Sequence, residues 1–242
     1  MRIVSIAPSA TATLRALDRE SDLVGHTSHC TADATEVGGW LTPDLDAIET
    51  LEPDVVLAVD DLQAPIADRV ADRGLPVVHV TPTTLPSVFE AIETIGAAAG
   101  AQEAATDLVG SLRARCTSVA ERVPATDRPV VYCEEWDEPP MVAGNWVPEM
   151  VEAAGGTYPF VQPGDRSRRI DRATVEAAAP DVVVLHPCGR GAAADVGRFM
   201  DRGWAVPALA HDRVVPVDDS LFNRPGPSLV DGIEWLADLL HG

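Results

Sequence analysis

The chain contains no lysine. All 18 of its basic side chains are arginine, set against 38 Asp and Glu, for a formal net charge of −20. Such a surface repels nucleic acid and anionic membranes and excludes both as partners. It suits high salt, where the Debye length falls to about 3 Å at 1 M and self-repulsion is screened; the composition reads as a halophilic acidic protein. Cysteine is also scarce. Cys30, Cys116, Cys133 and Cys188 are far apart and form no CxxC pair, which excludes a disulfide framework. No apolar run reaches the roughly 18 residues of a spanning helix. The opening "MRIVSIAPSA" lacks the segments of a signal peptide, so the chain as written is expected to be cytoplasmic, or extracytoplasmic if it has been trimmed. The G-x-G-x-x-G, Walker, G-x-S-x-G, S-x-x-K and H-E-x-x-H patterns are absent, and the protein is expected not to be an enzyme.

What is present is a folded α/β chain. Hydrophobic residues make up 46% of its 242 residues, enough for one large domain or two lobes. "RIVSIAPSATATLRAL" reads as strand, turn and helix, with Ser9 or Thr11 as the cap. "LVGH" is a second strand. "DLDAIETLEPDVVLAV" and "PIADRVADRGLPVVHV" repeat helix, turn and strand, and such alternation predicts a parallel sheet. From Leu85 to Val123 the pattern is helical throughout, as one helix or as two with a break near Gly96 to Gly100. Alternation then resumes to a last helix, "SLVDGIEWLADLLH". "DLDAIETLEPDVVLAVDD" and "DRATVEAAAPDVVVLHPCG" form one imperfect repeat across the helical stretch. The organisation expected is an N-terminal lobe (1–84), a connecting helix (85–123) and a C-terminal lobe (124–242). Two Rossmann-like lobes with parallel sheets, joined by a long rigid backbone helix, imply a ligand cleft between them, beyond the carboxyl ends of the strands.

The unusual residues cluster after strands. They include Pro8 and Ser9 in "APSAT", His29 and Cys30 in "TSHC", Trp40 in "GGW" and Asp60 in "DD". Later come Trp136 in "CEEWDEPP", Trp146 in "GNW", Cys188 in "HPCGRG", and Asp219 and Phe222 in "DDSLFNRPGP". Tryptophan and phenylalanine offer flat apolar faces to a broad planar ligand. Cys116, Trp204 and Trp235 read as packing. The His and Cys residues leave three readings open. They line a pocket; or His29, Cys30, Cys133, Glu134, His186 and Cys188 include ligands of a transition metal such as zinc or copper, or of a cobalt centre; or Cys30 or Cys188 with His29 or His186 forms a Cys/His hydrolase pair.

The segments "RIVSIAPSAT", "VGHTSHC", "VGGWLTPDLDAIETLEPDVVLA", "PPMVAGNWVPEMVEAAGG" and "LFNRPGPSLVDGIEWL" together resemble the cobalamin and ferric-siderophore binding proteins of ABC importers. The likeness runs over nearly the whole chain and is nearest to the cobalamin branch. It implies a non-enzymatic receptor binding a metal-containing small molecule, a corrinoid such as cobalamin first and a ferric siderophore next, between two lobes. By resemblance Trp40 packs on the corrin, His29 matches a cleft aromatic, and Asp219 matches a polar contact. Val59 and the stretch Ser167 to Arg169, with Arg168 at its centre, stand where two further tryptophans occur, and Trp136 and Trp146 compensate. The resemblance also implies docking on an ABC permease through one carboxylate per lobe. Asp46 fills the first position. Ala173 occupies the second, with Asp171 and Glu176 out of register, so a binder that does not stimulate a transporter is expected. The alternative is an intracellular metal-binding protein using the His and Cys residues.

Overall fold

The computed structural model describes all 242 residues, Met1–Gly242. The chain divides into two compact units, Met1–Pro82 with Pro86–Leu112, and Thr83–Leu85 with Arg113–Gly242. In the first unit the strands are β1 (Ile3–Ser5), β2 (Leu23–His26), β3 (Thr35–Glu36), β4 (Val55–Val59) and β5 (Val77–Val80). They form one sheet in the order β3-β2-β1-β4-β5, with every pairing parallel. Helices α1 (Pro8–Ala16), α2 (Leu45–Thr50) and α3 (Ala64–Asp72) connect them.

Alternation along the strands divides the core into two layers. Ile3, Leu23, Val55, Leu57 and Val59 pack with Ala10 and Leu14 of α1 on one face. Val4, Ile6, Val56 and Ala58 pack with Leu45, Ile48, Ile66 and Val70 of α2 and α3 on the other. A sheet covered on both faces explains the unbroken apolar run "VVLAV". α1 begins at Pro8, not at a hydroxyl cap. Ala7 is the capping residue and offers no side-chain bond, because proline at the first helical position needs no donor partner. Thr11 instead turns inward and donates to Ser5 Oγ at 2.9 Å.

The helical stretch takes the second of its two expected forms. α4 (Leu85–Ala98) and α5 (Gln102–Arg122) are separated at Gly100, whose φ is +67°. A left-handed residue ends a helix, and glycine adopts it without strain. The stretch is not a separate body: the boundary between the units falls inside α5.

The second unit holds β6 (Val131–Asp137), β7 (Pro140–Val142), β8 (Arg168–Arg169), β9 (Val182–Leu185) and β10 (Val214–Pro216). The sheet order is β10-β9-β6-β7-β8. β6, β9 and β10 pair in parallel, but β7 and β8 join antiparallel, so this sheet is mixed where a parallel one was expected. Its helices are α6 (Val147–Ala153), α7 (Arg172–Ala178), α8 (Val196–Asp201), α9 (Pro207–Ala210) and α10 (Ser228–His241). Tyr132, Phe160, Phe199 and Trp204 pack as an aromatic group. At Gly232 of α10 an added Cβ would lie 2.4 Å from the Leu221 carbonyl oxygen, so only glycine allows this approach. No helix is long and apolar enough to cross a membrane.

Candidate functional site

In the first unit the chain beyond β3 folds into a tight hairpin. Gly38, at φ +92°, starts it. Gly39 N–H donates to the Thr42 carbonyl at 3.2 Å and Thr42 N–H to the Gly39 carbonyl at 3.1 Å, while Asp44 N–H donates to Val37 at 2.8 Å. Trp40 and Leu41 are therefore the two tip residues. Trp40 is half-buried, and Leu41 is 45% exposed. Beyond β4, Asp60 adopts φ +90°, ψ 145°, a region costing a non-glycine residue on the order of 1–3 kcal/mol. Three bonds hold it there. Its N–H donates to Val80 at 3.0 Å, its carbonyl accepts His79 Nε2–H at 2.7 Å, and its carboxylate accepts Leu62 N–H at 2.8 Å. Leu62, 53% exposed, follows.

Gln63 joins these loops and was not singled out from the sequence. It is fully buried. Its Oε1 accepts Val59 N–H at 2.9 Å, and its Nε2 donates to the carbonyls of Ile6 and Trp40, both at 2.8 Å. The one signal in the sequence was a glutamine two residues after the strand-end acidic pair Asp60-Asp61.

The "SHC" turn splits its two residues. Cys30 is buried, its sulfur 3.4 Å from Thr27 Oγ1. His29 is exposed, with Nδ1 3.3 Å from Ser28 Oγ. Pro8 and Ser9 form the first residues of α1, Ser9 buried with its carbonyl accepting Thr13 Oγ1–H at 2.9 Å.

In the second unit β6, legible in the sequence as "PVVYCEE", continues beyond Glu135 through Trp136 and Asp137, which were expected in a loop. Antiparallel β7 is what extends it. Glu134 is almost fully buried and is forked by Arg202 at 2.5 and 3.0 Å, with Tyr132 O–H donating at 3.0 Å. Burial pushes this carboxyl above its ordinary range, against the pull of Arg202. Asp137 meets Arg190 at 3.2 Å and Arg198 at 3.1 Å. The loop after β9 and α8 are thereby pinned to β6. Asp219 is buried and spends both carboxylate oxygens on the same loop, accepting Gly189 N–H at 2.7 Å and Gly191 N–H at 3.0 Å. Its observed work is to shape "CGRG".

Trp146 and Phe222 belong to the packed interior. Trp146 Nε1–H donates to the Phe222 carbonyl at 2.7 Å, and the Phe222 ring stacks on His186 at 4.9 Å and meets Trp235 edge-on. Trp136 stays 39% exposed, its indole N–H on the Glu138 carbonyl at 2.9 Å. Arg168 is exposed and donates to the Phe160 carbonyl at 2.8 Å.

The expected nucleophile and metal sets are not assembled. Asn223 stands between the histidine and the cysteine: its Oδ1 accepts His186 Nδ1–H at 2.6 Å and its Nδ2 donates to Cys188 Sγ at 3.1 Å. Burial lowers His186 to a pKa of about 4, so its ring is neutral with Nε2 unpartnered. Cys188 is exposed as a residue, yet its sulfur is tucked against Glu135 and Asn223. Loss of water around the thiol and the nearby Glu135 and Asp219 carboxylates push its pKa up to about 12. A nucleophilic cysteine needs the opposite shift. Cys133 is buried in β6, and burial raises its thiol as well. No group of three or more His, Cys, Asp or Glu side chains stands where it could hold a metal ion.

Asp46 and Ala173 occupy the same helical position. Asp44 caps α2 and Asp171 caps α7, and each residue in question lies two beyond its cap. Asp46 is exposed, with Arg73 at 2.5 Å.

The periplasmic binding protein family model matches residues 3–221. An uncharacterized ABC transporter substrate-binding lipoprotein of Bacillus subtilis is 28% identical over 255 aligned positions, covering 99% of this chain and 80% of the relative. A cobalamin-binding protein of Halobacterium salinarum is 27% identical, covering 99% and 69%. Two solved structures share the fold. The periplasmic vitamin B12 binding protein of Vibrio cholerae superposes with a TM-score of 0.79 at 20% identity over 99% of this chain and 96% of that one. The periplasmic heme binding protein of the same organism gives 0.85 at 18%, over 100% and 99%. With a family model spanning most of its length, the chain belongs to the periplasmic binding protein family, whose members are substrate-binding proteins rather than enzymes.

Proposed function

We propose that this protein is a solute receptor of the ABC-importer type whose ligand is a corrinoid. The observation that carries this reading is the Trp40–Leu41 tip, an apolar platform at the carboxyl end of a parallel sheet, where open α/β sheets take their ligands. Its surroundings favour the corrin over a porphyrin. The strand-end segments of the first unit carry Asp33, Asp60 and Asp61 and no arginine. A corrin ring bears neutral amides at its edge; the carboxylates of a heme, or an anionic siderophore, would seek arginine there. The cobalamin-binding relative from Halobacterium salinarum supports the same choice. His29 and Asp60 of the same unit are further candidate contacts. Titration of cyanocobalamin, heme and a ferric siderophore in high salt, read by tryptophan quenching, tests the reading. Saturable quenching by cyanocobalamin at lower concentration than the others supports it; none by cyanocobalamin overturns it.

Docking to a permease would rest on a single carboxylate in this reading. Asp46 already pairs with Arg73, and α7 offers Ala173 at the matching position. An exposed pair contributes at most about 1 kcal/mol. Ligand-dependent stimulation of the organism's cobalamin permease ATPase in vesicles is expected to be absent. Stimulation that Asp46→Arg removes would overturn this part.

A further inference from the structure

We propose that Gln63 is the positioning residue of the ligand platform, setting the pose of Trp40 and Leu41 through the Trp40 carbonyl. The inference rests on the reading of that tip as a binding surface.

A buried glutamine offers one acceptor oxygen and two amide hydrogens, and each unused group would carry a desolvation cost. Gln63 uses all three. The oxygen takes Val59 N–H, at the last residue of β4. One N–H goes to the Ile6 carbonyl, just beyond β1, and the other to the Trp40 carbonyl. The first two bonds tie together the carboxyl ends of the adjacent strands β1 and β4. The third serves no strand. It reaches 23 residues back to a two-residue tip whose side chains are half-buried and exposed. A surface tip needs no buried anchor for folding, since its carbonyl could turn to water. Fixing it lowers the ordering cost when a ligand lands on the tip. The strained Asp60, held by Val80 and His79, delivers Gln63 to this place: the Gln63 N–H donates to the Asp60 carbonyl at 3.1 Å.

The glutamine amide nitrogen and oxygen have separate tasks, so they can be removed separately. Gln63→Glu keeps an acceptor for Val59 and removes both donors; Gln63→Met keeps length and removes all three, and carries the experiment if the carboxylate prevents folding. Each is combined with Trp40→Ala in a double-mutant cycle on the full chain, read by cyanocobalamin titration in high salt. The expected result is that the Gln63 change alone weakens binding by about tenfold, as loss of a pre-ordered contact would, and that it adds little in the Trp40→Ala background. Effects that simply multiply would assign Gln63 to general stability and overturn the proposal, as would binding within about twofold of the parent in a folded variant. A second measurement needs no ligand: acrylamide quenching of Trp40, isolated by difference against Trp40→Phe. Quenching of Trp40 should rise in both Gln63 variants. If the parent binds no corrinoid, the proposed function fails, and this measurement still decides Gln63; unchanged quenching overturns its role.

Discussion

Asp54 and Asp181 are structural equivalents, 127 positions apart. Each follows the proline of a Pro-Asp pair and precedes a buried strand. Asp54 Oδ2 accepts Arg2 N–H at 2.7 Å while Asp54 N–H donates to the Arg2 carbonyl at 2.8 Å. Asp181 Oδ2 accepts Val130 N–H at 2.8 Å while Asp181 N–H donates to the Val130 carbonyl at 2.8 Å. The side chain thus completes a two-bond clasp that sets the register of β4 on β1 and of β9 on β6. The sequence repeat is a repeat of this clasp.

Because Val130 is part-buried and Arg2 exposed, the two clasps differ in cost when broken. Asp181→Ala should destabilise the protein by about 1.5–3 kcal/mol, the range for a bond to a charged acceptor, and Asp54→Ala by less because water replaces the lost partner. Denaturant unfolding of the two variants in high salt checks the order.

Trp146 and Trp40 should separate stability from binding. Trp146→Ala empties a packed site and orphans the Phe222 carbonyl, at a cost of about 3–5 kcal/mol. Trp40→Ala, at a half-buried loop tip, should cost less stability than that, while weakening cyanocobalamin binding to a level the titration can still read. Thermal melts beside ligand titrations read both.

His186 gives the stability a pH dependence of known sign. Its folded pKa, about 4, lies below its ordinary 6.5. The unfolded chain therefore takes up this proton first as pH falls, and the stabilisation present above pH 6.5 is lost toward pH 4. The shift corresponds to on the order of 3 kcal/mol. In His186→Gln, the loss of stability between those pH values should shrink by that order, measured against the parent by urea unfolding.

Cys188 should resist alkylation. With its thiol at about 12, the thiolate fraction near neutral pH is about a thousandfold below that of an ordinary cysteine. Mass spectrometry after timed iodoacetamide exposure should show Cys188 lagging an unstructured thiol peptide, with Glu135→Gln narrowing the gap.

With a net charge of −20 and no lysine, self-repulsion across the surface should weaken the fold when salt is withdrawn. The melting temperature should rise steadily with KCl; a melting temperature independent of salt would contradict the halophilic reading.

The strands and helices that depend on local pattern were legible in the sequence. "LVGH" is β2, the two Pro-Asp segments precede β4 and β9, and the helices ahead of them are α2 and α7, which Asp44 and Asp171 cap. Apolar periodicity and capping chemistry act within a few residues, so the chain alone determines them. Trp40, too, could be picked out, because a tryptophan after a glycine pair stands out in any sequence. What tertiary structure decided lies at longer range. "WDEPP" is polar and reads as a loop, yet Trp136 and Asp137 continue the strand of "PVVYCEE" and only Glu138 and Pro139 turn, because β7 pairs with β6 and Arg202, Arg190 and Arg198 neutralise Glu134 and Asp137 from 53 to 68 residues away. Trp146 and Phe222 looked like pocket walls and became interior, because each found its partner 76 residues distant. Gln63 carries no motif. A buried amide is satisfied only by whichever backbone groups the fold delivers to it, here the ends of two strands and the tip of a hairpin.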